Sequence, residues 1–194
     1  MVSFPDPHHP FNPPGHDWDM YDPAAFAIDL PYDTHRNHPL PLQATTALWQ
    51  SGTQPPIPQT AFRTDDRHIR EAMALTAGMI TIIDDHVGWV IDAIRASGHA
   101  DNTVIVFTSD HGDDLGAFNL LLKGPLQHHA ITRVPLLWSD PRDRHAARTD
   151  TRAWTMDMPA SIPLPARGWT HSGGCRAAAF WIRSHPIPRT ATRC

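Results

Sequence analysis

Apolar residues recur at every third or fourth position between residues 65 and 97. This period matches the 3.6 residues per turn of an α-helix, and it predicts one long amphipathic helix. Asp65 and Asp66 supply candidate N-caps with negative charge at its start, and Gly98 suits the position just past its end. The apolar stripe consists of Ile69, Met73, Thr76, Ile80, Ile83, Val87, Val90, Ile91 and Ile94.

Two short apolar runs follow the predicted helix. Residues 103–108 are mostly β-branched or aromatic and are apolar on both faces, as is typical of a parallel strand covered by helices on each side. Residues 134–138 predict a second strand, with Pro135 restricted to its first residues or to an edge. Helix, buried strand, loop and strand together predict an α/β fold.

The segments on either side of this core differ from it in composition. Of the 20 prolines, 12 lie before residue 59, which excludes long helices and central strands there and predicts mostly loop. Residues 142–194 are rich in arginine and proline, contain no lysine or glutamate and show no periodicity. Two interpretations of this atypical tail stay open: a disordered basic segment, or a stretch translated out of its original reading frame.

Charge and cysteine content exclude several classes of function. The net charge is −4 without a basic helix face, so we expect no nucleic-acid partner. We also expect no membrane association, because no run approaches about 18 apolar residues. A cytoplasmic location is the default expectation, although a missing N-terminus could have carried an export signal. Cys175 and Cys194 favour neither a disulfide framework nor a zinc site, and the oligomeric state stays open.

Candidate chemistry lies in the loop after the first predicted strand. Ligands of open α/β sheets bind beyond the carboxyl ends of the strands, and Ser109, Asp110, His111 and Gly112 follow the strand there. Asp110 and His111 can offer an oxygen and a nitrogen to one cation, while Gly112 lets the backbone turn away. The competing interpretation is a surface turn in which Asp110 caps a following helix.

The single lysine of the chain, Lys123, lies in the apolar run at residues 120–125. A charge in such a run is costly to bury without an anionic partner, and a compact ammonium can hold a tetrahedral oxyanion. The alternative is a lysine whose head group extends from an apolar loop into solvent. The pattern favours an ester-hydrolase site without deciding it.

Five blocks of the sequence carry a further signal through their order and approximate spacing: residues 3–11, 80–88, 101–112, 122–125 and 133–136. Together these blocks resemble the sulfatases of the alkaline phosphatase superfamily. The resemblance covers residues 2 to about 141 and implies a partial sulfatase catalytic domain over residues 1–141. Residues 1–60 would form proline-rich active-site and wrapping loops, and residues 65–141 a helix-strand-loop-strand core. The implied fold is a partial three-layer α/β/α sandwich with a mainly parallel sheet.

The resemblance also implies a role for each matching side chain. Asp110 and His111 would be ligands of a divalent cation, usually calcium in this family. Lys123 would contact the sulfate and its bridging oxygen, and His8, rather than its neighbour His9, would donate a proton to the departing alkoxide or phenoxide. The implied reaction is hydrolysis of a small-molecule sulfate monoester, with positive charge neutralising its oxygens.

The sequence departs from the family pattern at the nucleophile. The family uses a formylglycine made from a cysteine in a Cys-x-Pro/Ala-x-Arg context well before the metal motif. Cys175 lies after that motif, and alanine stands where the arginine belongs. The family's early pair of acidic metal ligands is also absent, as is a histidine that many relatives have after Gly116. We therefore expect a fragment that is inactive alone.

Two other functions stay open on the sequence. A phosphonate or phosphate ester hydrolase of the same superfamily would use the same Asp-His pair and lysine, because these groups serve any tetrahedral oxyanion. A non-catalytic remnant would act only as a binding protein, through its basic tail.

Overall fold

The structure, a computed structural model, describes residues 1–34, 37–50, 60–124 and 126–141. The predicted tail at 142–194, with both cysteines, lies outside the described residues. The helices are α1 (Leu40–Gln50), α2 (Asp66–Ala96) and α3 (His129–Thr132), and the strands are β1 (Phe62–Arg63), β2 (Ile105–Thr108), β3 (Leu120–Leu121) and β4 (Leu136–Ser139). Short 3-10 turns lie at Gly15–Trp18, Pro23–Ala25, Tyr32–Thr34, Ala100–Asn102 and Ala117–Asn119.

Helix α2 confirms the helix that the apolar period predicts. The carboxylate of Asp65 caps its start by accepting a hydrogen bond from the backbone N–H of His68 at 3.0 Å. Gly98, just past its end, has a φ of +74°, a conformation that glycine adopts without a Cβ clash. Both ends of the helix are therefore set by local chemistry.

Burial is uneven along α2. Its first half supplies most of the buried positions of the helix, whereas Val87 is the one buried residue of its second half and Trp89 is 67% exposed. By length and composition alone, α2 is also apolar enough to cross a membrane. A core helix passes the same test, and the packing of the first half of α2 against the rest of the chain is that of a core helix.

Helix α1 lies within the proline-rich first zone, residues 1–60, where the prolines alone do not predict a helix. Pro39 precedes the helix and Pro41 lies in its first turn, where the missing N–H has no partner within the helix to lose. From this helix, Leu42 packs into a core cluster with Ala61, Leu120 and Leu126. The prolines here begin a helix instead of excluding one, and the other described elements of this zone are 3-10 turns and loop.

The paired strands are antiparallel, which differs from the predicted sheet. Ile105 lies opposite Ser139 in the pair of β2 with β4, and Phe62 lies opposite Leu121 in the pair of β1 with β3. A mainly parallel sheet and three layers are therefore not confirmed in the part of the chain that the structure describes; the α/β class itself is supported. The reason is the connection from β2 to β4, which leaves and returns at the same end of the strands, whereas parallel strands need a crossover to the opposite end.

Two contacts with α2 position the loop between β2 and β4. Phe107 of β2 packs on Val87, which fixes the strand that leads into the Asp110 segment. Further along the same segment, Leu121 and Leu122 pack on Ile69 in a second core cluster. The strand before Asp110 and the residues before Lys123 are therefore both packed against α2.

Candidate active site

Asp110 and His111 form a paired carboxylate and imidazole in the loop after β2. Asp110 Oδ2 and His111 Nε2 are 3.7 Å apart. The other carboxylate oxygen of Asp110 accepts a hydrogen bond from the backbone N–H of His111 at 2.8 Å. His111 Nδ1 lies 2.8 Å from the carbonyl oxygen of Gly112, and since a carbonyl can only accept, Nδ1 carries the proton and the neutral ring keeps a lone pair on Nε2. The pair therefore offers one oxygen and one nitrogen side by side.

His9 lies within electrostatic range of Lys123 and Asp113. Burial is the main cause that lowers the pKa of His9 below its ordinary 6.5, and the positive charges of His8 and Lys123 act in the same direction, while Asp113 opposes them. His9 Nδ1 is buried and has no hydrogen-bond partner among the described residues. The lowered pKa of His9 favours the neutral form of its imidazole.

The neighbouring His8 is exposed. Its Nδ1 lies 2.7 Å from the carbonyl oxygen of His9, and the two rings lie 4.0 Å apart between centroids. The structure thus brings His9, the histidine that the sequence analysis set aside, into the surroundings of Lys123. The role of His8 as a proton donor stays a prediction.

Lys123 is held by its backbone at a bend of the chain. Its carbonyl oxygen accepts a hydrogen bond from the N–H of Ala61 at 2.9 Å. The preceding residue, Leu122, is 6% exposed and has a φ of +67°, and Leu115 and Phe118 also have positive φ. A left-handed conformation costs a residue with a Cβ about 1–2 kcal/mol, so the surrounding contacts must hold this segment in place.

Asp114 pairs with His128 below this surface. Asp114 Oδ1 lies 2.5 Å from His128 Nε2, and the two side chains are 0% and 20% exposed. Burial raises the pKa of Asp114, although the hydrogen bond and charge of His128 oppose that shift. This largely buried second pair of a carboxylate and an imidazole is called the closed pair, and the more exposed Asp110–His111 pair is called the open pair.

Comparison with known proteins places the chain in a family. The Sulfatase family matches residues 4–163. The chain belongs to the sulfatase family. Its sequence is 29% identical over 161 residues to an uncharacterized sulfatase of Escherichia coli, covering 81% of this chain and 29% of that protein. It is 31% identical over 140 residues to an arylsulfatase of Clostridium perfringens, covering 72% of this chain and 27% of that protein.

Solved structures of the same superfamily are also similar to this sulfatase chain. A phosphonate monoester hydrolase from Silicibacter pomeroyi matches with a TM-score of 0.53 and 26% identity over 70% of this chain and 27% of that one. The sulfatase chain thus spans less than a third of the length of these relatives. These matches confirm the resemblance seen in the sequence; the boundary at residue 141 and the nature of the tail stay predictions.

Two residues of this sulfatase-family chain fit part of a cation site. Ligand atoms at about 2.3–2.6 Å from one calcium ion lie roughly 3–4 Å from each other when they are neighbours, and 3.7 Å falls in that range. The side chain of Asp110 is 75% exposed and that of His111 is 31% exposed, so a cation can reach both. No group of three or more His, Cys, Asp or Glu side chains that could hold a metal is found within the described ranges. The formylglycine, in contrast, does not fit, because neither Cys175 nor Cys194 stands in its motif.

Asn119 is a buried positioning residue that the sequence analysis missed. Its Oδ1 accepts a hydrogen bond from the N–H of Tyr32, and its Nδ2 donates to Asp66, each at 2.8 Å. These hydrogen bonds connect the segment that leads to Lys123 with Tyr32 in the first zone and with Asp66 at the start of α2. An asparagine three residues after Gly116 predicts a turn, but nothing local predicts partners 87 and 53 residues away.

Proposed function

We propose that this chain carries the cation-binding and oxyanion-binding side of an ester hydrolase whose substrate is a small-molecule sulfate monoester. The observation that carries the proposal is the open pair of Asp110 Oδ2 and His111 Nε2, 3.7 Å apart. This pair lies in the segment between β2 and β4 that also contains the only lysine of a sulfatase-family chain. Adjacent O and N donors at that spacing suit one divalent cation, and a lysine suits a tetrahedral anion.

Each side chain would have a separate task in the reaction. Asp110 and His111 would hold a divalent cation, which supplies positive charge next to the sulfate oxygens. The ammonium of Lys123 would bind a sulfate oxygen and the bridging oxygen. As an incoming oxygen nucleophile, which these residues do not supply, forms a bond to sulfur and the bond between sulfur and the bridging oxygen breaks, protonated His8 would give its proton to the departing alkoxide or phenoxide. The ring N–H of neutral His9 would be able to donate a hydrogen bond to an oxygen of the bound ester.

The choice of calcium follows the family and not the ligand chemistry alone. Calcium prefers oxygen ligands, whereas an imidazole such as that of His111 is more usual with transition metals. A calorimetric comparison of calcium with manganese therefore tests the metal. We expect calcium to bind with a dissociation constant of about 0.1–1 mM, since two ligands make an incomplete site.

The single lysine gives a direct test of anion binding. Reductive methylation with ¹³C-formaldehyde keeps the charge of Lys123 and labels two amines, Lys123 and the N-terminus of Met1. We expect inorganic sulfate to shift the Lys123 methyl signal in the NMR spectrum while sodium chloride at equal ionic strength does not. The Met1 signal serves as the internal control. Equal shifts of both signals in sulfate and chloride would contradict an oxyanion site at Lys123.

Activity of the isolated chain is a separate question. Without the family's modified cysteine, we expect no release of nitrophenol from 4-nitrophenyl sulfate in the presence of calcium. Turnover that scales with protein concentration and disappears in Lys123→Met would show that the chain is not an inactive fragment.

A phosphonate or phosphate ester is the second candidate substrate. The observation in its favour is the similarity to a phosphonate monoester hydrolase. Methylphosphonate and inorganic sulfate, titrated against the same ¹³C-methyl signal of Lys123, separate the two. Tighter binding of methylphosphonate would favour the second candidate. The absence of nucleic-acid and membrane partners and a cytoplasmic location stay predictions.

A further inference from the structure

Asp114 and His128 form a hydrogen-bonded pair to which the proposed reaction gives no task. The side chain of Asp114 is 0% exposed, and its Oδ1 accepts a hydrogen bond from His128 Nε2 at 2.5 Å. The ring orientation is fixed from the other side, because the N–H of Ala130 donates to His128 Nδ1 at 3.3 Å. Nε2 therefore carries the proton of the neutral ring, and Asp114 is its acceptor.

The backbone of Asp114 is bonded to the Lys123 side of the site. Its N–H donates to the carbonyl oxygen of Leu122, the residue before Lys123, at 2.7 Å. Leu122 is the residue with a φ of +67°, so this bond holds the chain at the point where it is bent into Lys123.

The backbone around His128 is bonded to the cation side of the site. His128 caps helix α3, and the carbonyl oxygen of Ile131 in that helix accepts a hydrogen bond from the N–H of Gly112 at 2.8 Å. Gly112 directly follows His111, and a Cβ on it would lie 1.8 Å from the carbonyl oxygen of Ala130. The close approach of the Asp110–His111 turn to α3 thus depends on glycine.

Stability of the fold is a weak explanation for this pair. Asp114 Oδ2 is buried and has no hydrogen-bond partner among the described residues. A buried carboxylate with one free oxygen is less favourable than two well-packed apolar side chains would be. What the carboxylate provides, and an apolar side chain would not, is a directed bond between the two parts of the loop.

We propose that Asp114 and His128 are positioning residues that hold the Asp110–His111 turn and Lys123 in a fixed relative place. Asp114 fixes the Lys123 side through Leu122, His128 fixes the Asp110–His111 side through α3, and the bond between the two side chains joins the halves. This inference rests on the proposed function for its purpose, while its geometry can be tested without metal or ester.

The test is amide hydrogen exchange, followed by NMR on the ¹⁵N-labelled full chain without added metal or substrate. His128→Phe removes the hydrogen bond between the two side chains by changing His128, the partner that is partly exposed. We expect the Gly112 and Asp114 amides to exchange roughly tenfold faster or more in this variant, while buried amides of α2 such as that of Ala77 change less than about threefold. The ¹³C-methyl signal of Lys123 should also shift, and that of Met1 should not.

Two further variants complete the comparison. Asp114→Asn keeps an acceptor oxygen for His128 and should retain exchange rates within roughly threefold of the original chain. Asp101→Asn makes the same substitution at an exposed carboxylate and gives the baseline.

Two outcomes would overturn the proposal. In the first, Gly112 exchanges no faster in His128→Phe than in Asp101→Asn. In the second, the α2 amides lose protection by the same factor as Gly112, which would leave the pair a role in overall stability alone. Neither outcome depends on calcium or sulfate binding, so failure of the positioning role is distinguishable from failure of the proposed function.

Discussion

Two pairs of an aspartate and a histidine, with aspartates four residues apart, have opposite surroundings. In the first, Asp110 is 75% exposed and lies 3.7 Å from His111, its neighbour in the chain. In the second, Asp114 is 0% exposed and lies 2.5 Å from His128, which is 14 residues away. The first pair presents an oxygen and a nitrogen to an external ligand. In the second pair, both ring nitrogens of His128 are already hydrogen-bonded, one to Asp114 and the other to the backbone N–H of Ala130.

Burial, and not residue type, separates the two tasks that we propose for these pairs. An exposed carboxylate and imidazole can exchange water for a cation at low cost. The two side chains of a buried pair must hydrogen-bond to each other, because leaving either side chain without a hydrogen bond would be costly. In the proposed site, the open pair binds the ligand and the closed pair holds the surrounding backbone in place.

The largest effect is expected from Gly112→Ala, which should disturb both pairs at once. The new Cβ would lie 1.8 Å from the carbonyl oxygen of Ala130, so the turn after His111 and helix α3 must move apart. We expect a loss of about 2–3 kcal/mol in the free energy of unfolding. Gly88→Ala is the matched control, since no atom lies within 4 Å of its Cβ; it should gain about 0.5–1 kcal/mol as a helical alanine. Urea unfolding measures both, and equal stability of the two variants would contradict the close approach.

An intermediate effect is expected from Asp110→Asn, which should weaken the open pair without moving it. Removing one negative charge from the ligands should weaken calcium binding by roughly tenfold or more. Isothermal titration calorimetry measures the dissociation constant, with the exposed Asp101→Asn as control. Identical calcium affinity in the two variants would exclude Asp110 as a ligand.

The smallest effect is expected from Asp114→Asn, through the pH dependence of the closed pair. Burial raises the pKa of Asp114 above its ordinary value of 3.8, so between these two values the folded chain holds a proton that the unfolded chain has released. Stability is therefore lost as the pH rises from 3.8 through the raised pKa, by at most about 1.4 kcal/mol per pH unit. The asparagine variant lacks this loss and should gain relative to the original chain as the pH rises.

Urea unfolding of both proteins at several pH values checks this last prediction. The difference in unfolding free energy between the original chain and Asp114→Asn should change as the pH rises above 3.8. It should level off once Asp114 is fully ionised. Parallel pH profiles would show that Asp114 titrates as it does in the unfolded chain.

Elements fixed by local patterns could be predicted from the sequence. The apolar period gave α2 to within one residue at each end, and the two apolar runs correspond to β2 and β4. Asp110 and His111 could be paired in advance because they are neighbours in the chain. Lys123 could be singled out because the chain has no other lysine.

Features that depend on distant contacts could not be predicted. The antiparallel pairing of β2 with β4 depends on the path of the loop between them, which strand propensity does not encode. Helix α1 was not predicted, because its prolines lie just before it and in its first turn, where they are compatible with a helix. The electrostatic influence of Lys123 on His9 could not be predicted either, because the two residues are more than a hundred positions apart in the sequence.

The sequence by itself determined the family, the long helix, the two strands and the identity of the open pair, because each of these is written in short-range periodicity or in a motif. Tertiary structure alone decided that Asp114 is buried, that His128 is its partner, and that Asn119 ties the loop to Tyr32 and Asp66. The physical reason is that a side chain's hydrogen-bond partner depends on which segments the core brings together. Several of those segments meet on helix α2, far from the loop in sequence.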